Sequence, residues 1–209
     1  DSDHRQIYSQ TLYAEEIRAV CNDMSWNSAD FLAHSMAGPI SVKTASMYPD
    51  LFKSLFLLDS IIVVPPDKAR SFSGRGSMVR SDFVYDDLES AVESFRLIPP
   101  QPCNNDYLLK HIAINSFKQT EQGWVLKSDG MIMRTYTYED LTDIFMSLKC
   151  PIYLVYGLMS QIFSQEILEY TTYVGNLAEK SVVGIPGAMH HLFIDEPIIF
   201  IEEVKKLLK

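Results

Sequence analysis

The 209-residue chain carries a formal net charge of −9, with 47% hydrophobic and 22% charged residues. This balance is typical of one globular domain, or of a domain with an inserted lobe. The acidity argues against nucleic acid or an anionic membrane surface as the main partner. No apolar run approaches the roughly 20 residues that a membrane-spanning helix requires, so we expect no membrane span.

The cysteines bear on the compartment. Cys21, Cys103 and Cys150 are widely separated and odd in number. This pattern favours free thiols over a disulfide framework. The sequence has no Asn-x-Ser/Thr acceptor. We therefore expect an intracellular, reducing compartment, either the cytoplasm or an organelle matrix. Neither cysteines nor histidines have the spacing of metal ligands, so no metal and no cofactor is predicted.

The first part of the chain alternates between helical and strand patterns. Apolar residues at helical spacing predict a helix over 12–22, and a strand is predicted over 30–34. A second helical pattern runs from about 36 to 47. The nearly uninterrupted apolar run 51–59 is typical of a parallel strand that is covered on both faces.

The middle of the chain has a different character. Between residues 60 and 149, loops rich in proline, serine and glycine separate short helical stretches near 85–96 and 107–117. We interpret residues 61–148 as a cap or lid inserted into a core made of residues 1–60 and 149–209.

The alternation resumes in the last part of the chain. Strands are predicted over 151–157 and 181–186, with a helix over 165–177 between them and a closing amphipathic helix over 194–208. Strands that alternate with helices predict an α/β protein with a parallel sheet and helices on both faces.

The segment FLAHSMAG, residues 31–38, predicts a serine on a sharp turn between a buried strand and a helix. Ala33 and Ala37 flank Ser35 at two residues on either side, where a tight turn has no room for larger side chains. Such a turn exposes the hydroxyl and points the first helical N–H groups at the same spot, which suits an oxyanion. An N-capping serine is the simpler alternative.

Further reactive side chains follow other predicted strands. Asp59 ends the apolar run, and His190 with His191 follows the last strand. A hydrolytic serine needs a base to take its proton and an acid to orient that base. The order serine, aspartate, histidine is the one expected of α/β-hydrolases.

The ordered motifs resemble the α/β-hydrolase family over essentially the whole chain. AHSMAG (33–38) resembles its nucleophile elbow, CPIYLVYG (150–157) its penultimate strand and IPGAMHHL (185–192) its histidine loop. FRLIPPQPC (95–103) and GWVLK (123–127) resemble the cap of small esterase-like hydrolases, with serine hydrolase-like proteins as relatives. The resemblance implies an α/β-hydrolase fold with a helical cap insertion.

The resemblance also implies catalytic roles. Ser35 would be the nucleophile and His190 the base, while His191 would be a hydrogen-bonded neighbour in the loop. The family's usual place for the acid is occupied here by Ser160, which has no carboxylate. Asp59, at the end of the strand next to the elbow strand, is therefore the expected acid, with a turn-capping role as the alternative.

Three further residues are expected to bind substrate. The Met36 backbone N–H would be one oxyanion donor. Phe72 and Trp124 would line a pocket in the cap, although aromatic residues in a cap more often form its own core.

Three functions remain open at this point. The first is a serine hydrolase that cleaves a small carboxylic ester or thioester through an acyl-enzyme. The alternative is a catalytically degenerate scaffold or binding subunit, favoured by Ala33, Ala37, Met189 and Ser160 at positions where the family has other residues. A ligand receptor that uses the capped pocket without turnover is a third possibility. The family's first strands are not recognised, so a second polypeptide or a further segment would complete the sheet beside the Ser35 strand.

Overall fold

The computed structural model describes residues 4–68, 83–136 and 139–209. These residues fall into two compact units. The larger unit comprises residues 9–68 and 139–209, and the smaller unit comprises 4–8 and 83–136. The sequence-based division at residues 60 and 148 stays a prediction.

A parallel sheet organises the larger unit. Among the described residues it has four strands, in the spatial order β1 (Ala29–His34), β2 (Phe52–Leu58), β5 (Ile152–Gly157) and β6 (Val182–Ile185). Every adjacent pair in this order is parallel. The carboxyl ends of these strands therefore meet at one edge of the sheet, where ligand sites of open α/β sheets lie.

Helices connect and cover the strands of both units. In chain order they are α1 (Gln10–Asp23), α2 (Ala37–Met47), α3 (Leu88–Ser94), α4 (Asp106–Ser116), α5 (Met131–Thr135), α6 (Thr142–Ser147), α7 (Gln165–Val174), α8 (Leu192–Asp195) and α9 (Pro197–Leu207). Short 3₁₀ turns cover Pro49–Leu51 and Glu179–Ser181. No helix of the described residues has the length and apolarity needed to cross a membrane.

Strand β2 is buried on both of its faces. Successive side chains of a strand point to opposite faces, so Leu55 and Leu57 join one apolar cluster and Phe56 and Leu58 join the other. The first cluster also contains Val42, Ala45, Phe145, Leu154 and Leu168. The second also contains Val155, Ile185, Leu192, Phe200 and Val204. Helices therefore cover both faces, as the apolar run 51–59 predicts.

The closing helix differs from its prediction. The structure has two helices, α8 and α9, in place of one helix over 194–208. Glu196 interrupts them with φ −131° and ψ 63°. Pro197 explains the break, because a proline ring disfavours helical backbone in the residue before it while suiting the first position of the next helix.

The smaller unit contains a hairpin that the sequence analysis did not predict. Strands β3 (Phe117–Thr120) and β4 (Gly123–Leu126) pair in antiparallel fashion, and the backbones of Tyr85 and Trp124 form a further bridge. Gly123 has φ +132°, a conformation that favours glycine. The inserted region is therefore a mixed structure of helices and a hairpin.

Candidate active site

Ser35 stands on a strained turn between β1 and α2. Its φ is +53°, which is uncommon for a residue other than glycine. Its N–H donates to the Leu58 carbonyl at 3.0 Å, and its carbonyl accepts from the Gly38 N–H at 3.0 Å. Because its hydrogen bond to β2 holds this backbone in place, the strained conformation persists. The turn directs the Ser35 side chain away from the line of β1.

The buried side chain of Ser60 supports the turn that carries Ser35. The Ser60 hydroxyl is fully buried and lies 2.8 Å from the Ser35 carbonyl oxygen and 3.1 Å from that of Ala33. A Cβ on Gly38 would lie 2.5 Å from the Ser60 side chain. Glycine at position 38 is therefore required by the close packing of α2 on the end of β2.

Asp59 follows β2 at the same edge of the sheet and is only 1% exposed. Its φ is +46°, so the residues after β1 and β2 share a left-handed backbone. Its Oδ2 accepts from the Gly157 N–H at 2.9 Å, and its Oδ1 accepts from the Ser160 hydroxyl at 2.7 Å. Hydrogen-bond donors thus surround a carboxylate that is removed from solvent.

His190 joins the serine to the aspartate. Its Nδ1 lies 2.8 Å from Asp59 Oδ1, and its Nε2 lies 2.9 Å from Ser35 Oγ. A carboxylate only accepts, so the partners assign an Nδ1–H that donates to Asp59 and an Nε2 that accepts from the Ser35 hydroxyl. The structure therefore brings together the three predicted catalytic residues in one hydrogen-bonded chain.

Backbone contacts hold the histidine loop. The Met189 N–H donates to Asp195 Oδ2 at 2.8 Å, and the Met159 N–H donates to the Ala188 carbonyl at 2.9 Å. A Cβ on Gly157 would overlap the carbonyl oxygen of Met189. The loop after β6 therefore packs directly on the end of β5, which fixes the position of the next residue, His190.

A second histidine lies against the first. His34 Nε2 donates to the His190 carbonyl at 2.9 Å, and the two ring centroids are 4.6 Å apart. Burial lowers the pKa of His34 to about 4, against the opposing effect of its hydrogen bond to His190. His191 packs edge-on to His190 with its ring centroid at 5.0 Å. It is His190 that contacts Ser35 and Asp59.

The expected substrate-binding residues have different outcomes. Met36 is the N-cap of α2, and the first N–H groups of a helix have no partner within it, so its N–H suits an oxyanion. Trp124 lies in β4 of the smaller unit. Phe72 lies outside the described residues. Roles in substrate binding stay predictions for all three residues.

Sequence reasoning missed three supporting residues. Ser60, His34 and Ser160 contact the elbow carbonyl, the His190 carbonyl and the Asp59 carboxylate, respectively. Proximity to a strand end was the only signal for Ser60 and His34, whereas Ser160 also stands at the family's usual place for the acid. Within residues 4–68, 83–136 and 139–209, no group of three or more His, Cys, Asp or Glu side chains is placed to hold a metal ion.

Comparison with known proteins agrees with this fold. The family model for the alpha/beta hydrolase fold matches residues 5–197. The chain belongs to this family. Two solved structures share its fold: E-2-(acetamidomethylene)succinate hydrolase and an M. tuberculosis esterase. The first has a TM-score of 0.77 at 20% identity and covers 99% of this chain and 76% of its own. The second has a TM-score of 0.78 at 21% identity and covers 99% and 72%.

Two curated relatives are hydrolases by name. A serine hydrolase-like protein of Danio rerio is 24% identical over 90 residues, which is 42% of this chain and 28% of that protein. The pimeloyl-[acyl-carrier protein] methyl ester esterase of Wigglesworthia glossinidia brevipalpis is 22% identical over 182 residues, which is 84% of this chain and 68% of the enzyme. The fold is thus of the hydrolase and esterase type.

Proposed function

We propose that this protein is a serine hydrolase that cleaves a small carboxylic ester or thioester through an acyl-enzyme. The observation that carries the proposal is the hydrogen-bonded chain from Ser35 through His190 to Asp59, with 2.9 and 2.8 Å between the paired atoms. A nucleophile, its base and an orienting acid in this order are what acyl transfer requires.

Acylation follows from the hydrogen bonds. Ser35 Oγ attacks the carbonyl carbon of the ester while its proton moves to His190 Nε2. The negative charge that develops on the substrate oxygen faces the first turn of α2, where the Met36 N–H is a donor. Collapse of the tetrahedral intermediate breaks the bond to the alcohol or thiol, which leaves with the proton from His190.

Deacylation uses the same groups. A water molecule gives its proton to His190 Nε2 and attacks the acyl carbon. The intermediate then releases the carboxylic acid, and the proton returns to Ser35 Oγ. Asp59 keeps its charge throughout, because its role is to orient the imidazole and to stabilise the imidazolium that forms twice in each cycle.

The substrate class has support from the comparisons and from the site. One relative is named as a methyl ester esterase, which supports a carboxylic ester over an amide or a phosphate ester. A serine nucleophile with an imidazole base is suited to acyl carbon in esters and thioesters alike. No metal or organic cofactor is needed for this chemistry.

A partner for the sheet is part of the proposal. Within the described residues β1 pairs with β2 alone, and Leu32 on β1 is 48% exposed. An apolar strand with an open edge is a template for pairing with another strand. We propose that a second polypeptide or a further segment of the protein pairs with β1 and supplies a second oxyanion donor.

We propose that the protein resides in a reducing, intracellular compartment, and its cysteines support this location. Cys21 is buried, and burial raises the pKa of the half-buried Cys150 thiol. Thiols of this kind are chemically inert and persist in a reducing, intracellular compartment.

Hydrolysis of p-nitrophenyl acetate and butyrate tests the proposed function. We expect a burst of p-nitrophenol followed by slower turnover, because the acyl-enzyme forms before it is hydrolysed. Ser35→Ala should remove the burst, whereas Ser147→Ala, which changes an exposed serine of α6, should leave it unchanged. Equal rates for wild type and Ser35→Ala would overturn the hydrolase proposal and favour a noncatalytic binding protein.

A further inference from the structure

Ser160 contacts the Asp59 carboxylate from the loop that follows β5. Its Oγ lies 2.7 Å from Asp59 Oδ1 and also lies 3.3 Å from the backbone nitrogens of Ile162 and Phe163. A carboxylate accepts only and a backbone N–H donates only. The single hydroxyl proton of Ser160 is therefore directed at Asp59, and its lone pairs face the two N–H groups.

The same carboxylate oxygen receives two donors. Asp59 Oδ1 accepts from Ser160 and from His190 Nδ1, while Oδ2 accepts from the Gly157 N–H. One donor on each oxygen limits the rotation of a carboxylate only partly. The third donor, from Ser160, shares Oδ1 with the imidazole, so each of the two donors takes one lone pair of this oxygen. A hydrogen bond between a hydroxyl and an ionised group is also stronger than one between neutral groups.

We propose that Ser160 is a positioning residue of the reaction, whose hydroxyl orients the Asp59 carboxylate toward His190 Nδ1. This inference rests on the proposed function and adds a fourth member to the chain Ser35–His190–Asp59. Ser160 touches neither the substrate nor the reacting atoms, and it acts through Asp59.

A purely structural role is the competing explanation, because Ser160 also accepts two backbone N–H groups in its turn. The chain offers a matched control in Ser164. Its Oγ accepts from the Ile167 N–H at 3.4 Å and caps α7, in the same stretch of chain. Ser164→Ala removes a serine cap and leaves the donors to Asp59 in place.

Steady-state kinetics on p-nitrophenyl butyrate separates the two roles. Ser160→Ala should lower kcat by roughly 10- to 100-fold and keep KM within about 2-fold, because the lost contact orients a catalytic group and binds no substrate. Ser160→Thr should restore kcat, since it keeps the hydroxyl. In an Asp59→Asn background, Ser160→Ala should add less than about 3-fold, because residues of one network are not additive.

The control and a second variant complete the kinetic test. Ser164→Ala should keep the wild-type kcat. Ser160→Cys, whose thiol is a weak donor, should lower kcat in the same direction and replaces Ser160→Ala if that variant does not fold. Equal loss of kcat in Ser160→Ala and Ser164→Ala, or no loss in either, would overturn the proposal.

A spectroscopic measurement is independent of turnover. The proton of His190 Nδ1, donated to a carboxylate, should give a far-downfield resonance in the ¹H NMR spectrum of the full chain. Ser160→Ala should shift this resonance, while Ser160→Thr and Ser164→Ala should leave it near its wild-type position; an unshifted resonance in Ser160→Ala contradicts the inference. If the wild-type chain turns over no ester, the proposed function fails, and this resonance still decides whether Ser160 orients Asp59.

Discussion

In the larger unit, β2 is buried at six of its seven residues, whereas in the smaller unit β3 is exposed at three of its four. Strand β2 is followed by Asp59 and lies beside β1, which is followed by Ser35. Strand β3 belongs to a two-stranded hairpin. Positional accuracy in this molecule therefore depends on β2: Asp59 directly follows this buried strand, and the Ser35 backbone is hydrogen-bonded to its last residue, Leu58.

The backbone of the site shows what that packing supports. Ser35 and Asp59 both have positive φ, at +53° and +46°. Such a conformation costs on the order of 1–3 kcal/mol per residue and persists only where the surroundings hold it. Here the Ser35 N–H donates to the Leu58 carbonyl at 3.0 Å and the Asp59 N–H donates to the Val155 carbonyl at 2.8 Å, so buried neighbouring strands hold both residues. Strand β3, with three of its four residues exposed, has less packing with which to support comparable strain.

The largest effect should come from the base. His190→Ala removes the group that takes the Ser35 proton, so we expect kcat for p-nitrophenyl butyrate to fall by about 10⁴-fold or more. The melting temperature should change little by comparison with this loss of rate. A matched change in the smaller unit, His111→Ala on exposed α4, should leave kcat unchanged. Retention of kcat in His190→Ala would show that the catalytic site does not lie at His190 in the larger unit.

The acid should have the next largest effect. Asp59→Asn keeps the shape of the side chain but removes the charge that fixes the His190 tautomer, so we expect kcat to fall by about 10³- to 10⁴-fold. Asp195→Asn is the control, because that carboxylate accepts from the Met189 N–H of the histidine loop, whereas the His190 ring nitrogens bond to Asp59 and Ser35. Comparable losses in the two variants would show that a general loosening of the loop, and not the Asp59 charge, accounts for the effect.

Substitutions in the larger unit should also lower the free energy of unfolding more than substitutions in the smaller unit. Leu57 is fully buried in the sheet, so Leu57→Ala should lower the free energy of unfolding by about 2–5 kcal/mol. Val125 in β4 is only partly buried, and Val125→Ala should lower it by about 1 kcal/mol or less.

Because the chain has two tryptophans, one in each unit, the unfolding of each unit can be measured separately. Trp26 lies in the larger unit and Trp124 in the smaller. Urea titrations of Trp26→Phe and Trp124→Phe backgrounds therefore follow one unit at a time by fluorescence. If Val125→Ala destabilises the larger unit as strongly as Leu57→Ala, the contrast between the two regions is wrong.

The smallest effect is a dependence of stability on pH. Burial lowers the pKa of His34 to about 4, below its ordinary 6.5. The unfolded chain therefore binds a proton at His34 first, and stability is lost as pH falls from about 6.5 to about 4. The loss is at most about 3 kcal/mol, and smaller because part of the ring meets solvent. His34→Gln keeps an N–H donor for the His190 carbonyl. It should reduce the slope of the unfolding free energy against pH in this range by the equivalent of about one bound proton.

Urea unfolding at a series of pH values checks the His34 assignment. The quantity to compare is the difference between wild type and His34→Gln, since other groups titrate in both. Parallel profiles for the two proteins between about pH 4 and 6.5 would show that His34 does not carry the effect.

The sequence predicts the buried sheet of the larger unit better than the hairpin of the smaller unit. The run 51–59 predicts a strand covered on both faces because burial on both sides leaves no polar alternation. Ser35, Asp59 and His190 are recognisable because each follows a strand and their order in the chain matches the family.

Other features depend on distances that a sequence does not contain. The donor role of Ser160 depends on a contact between residues 101 positions apart. The bond from His34 to the His190 carbonyl spans 156 positions. The hairpin was missed because its four-residue strands are too short to show a period, and β3 is mostly polar.

Labelling with a fluorophosphonate probe, followed by peptide mapping, tests directly whether Ser35 is an activated nucleophile. The probe reacts with a serine only when a base activates its hydroxyl. We expect one adduct on the wild-type chain, located at Ser35, that is absent from Ser35→Ala and strongly reduced in His190→Ala. An adduct that persists in Ser35→Ala, or that maps to another serine, would contradict it.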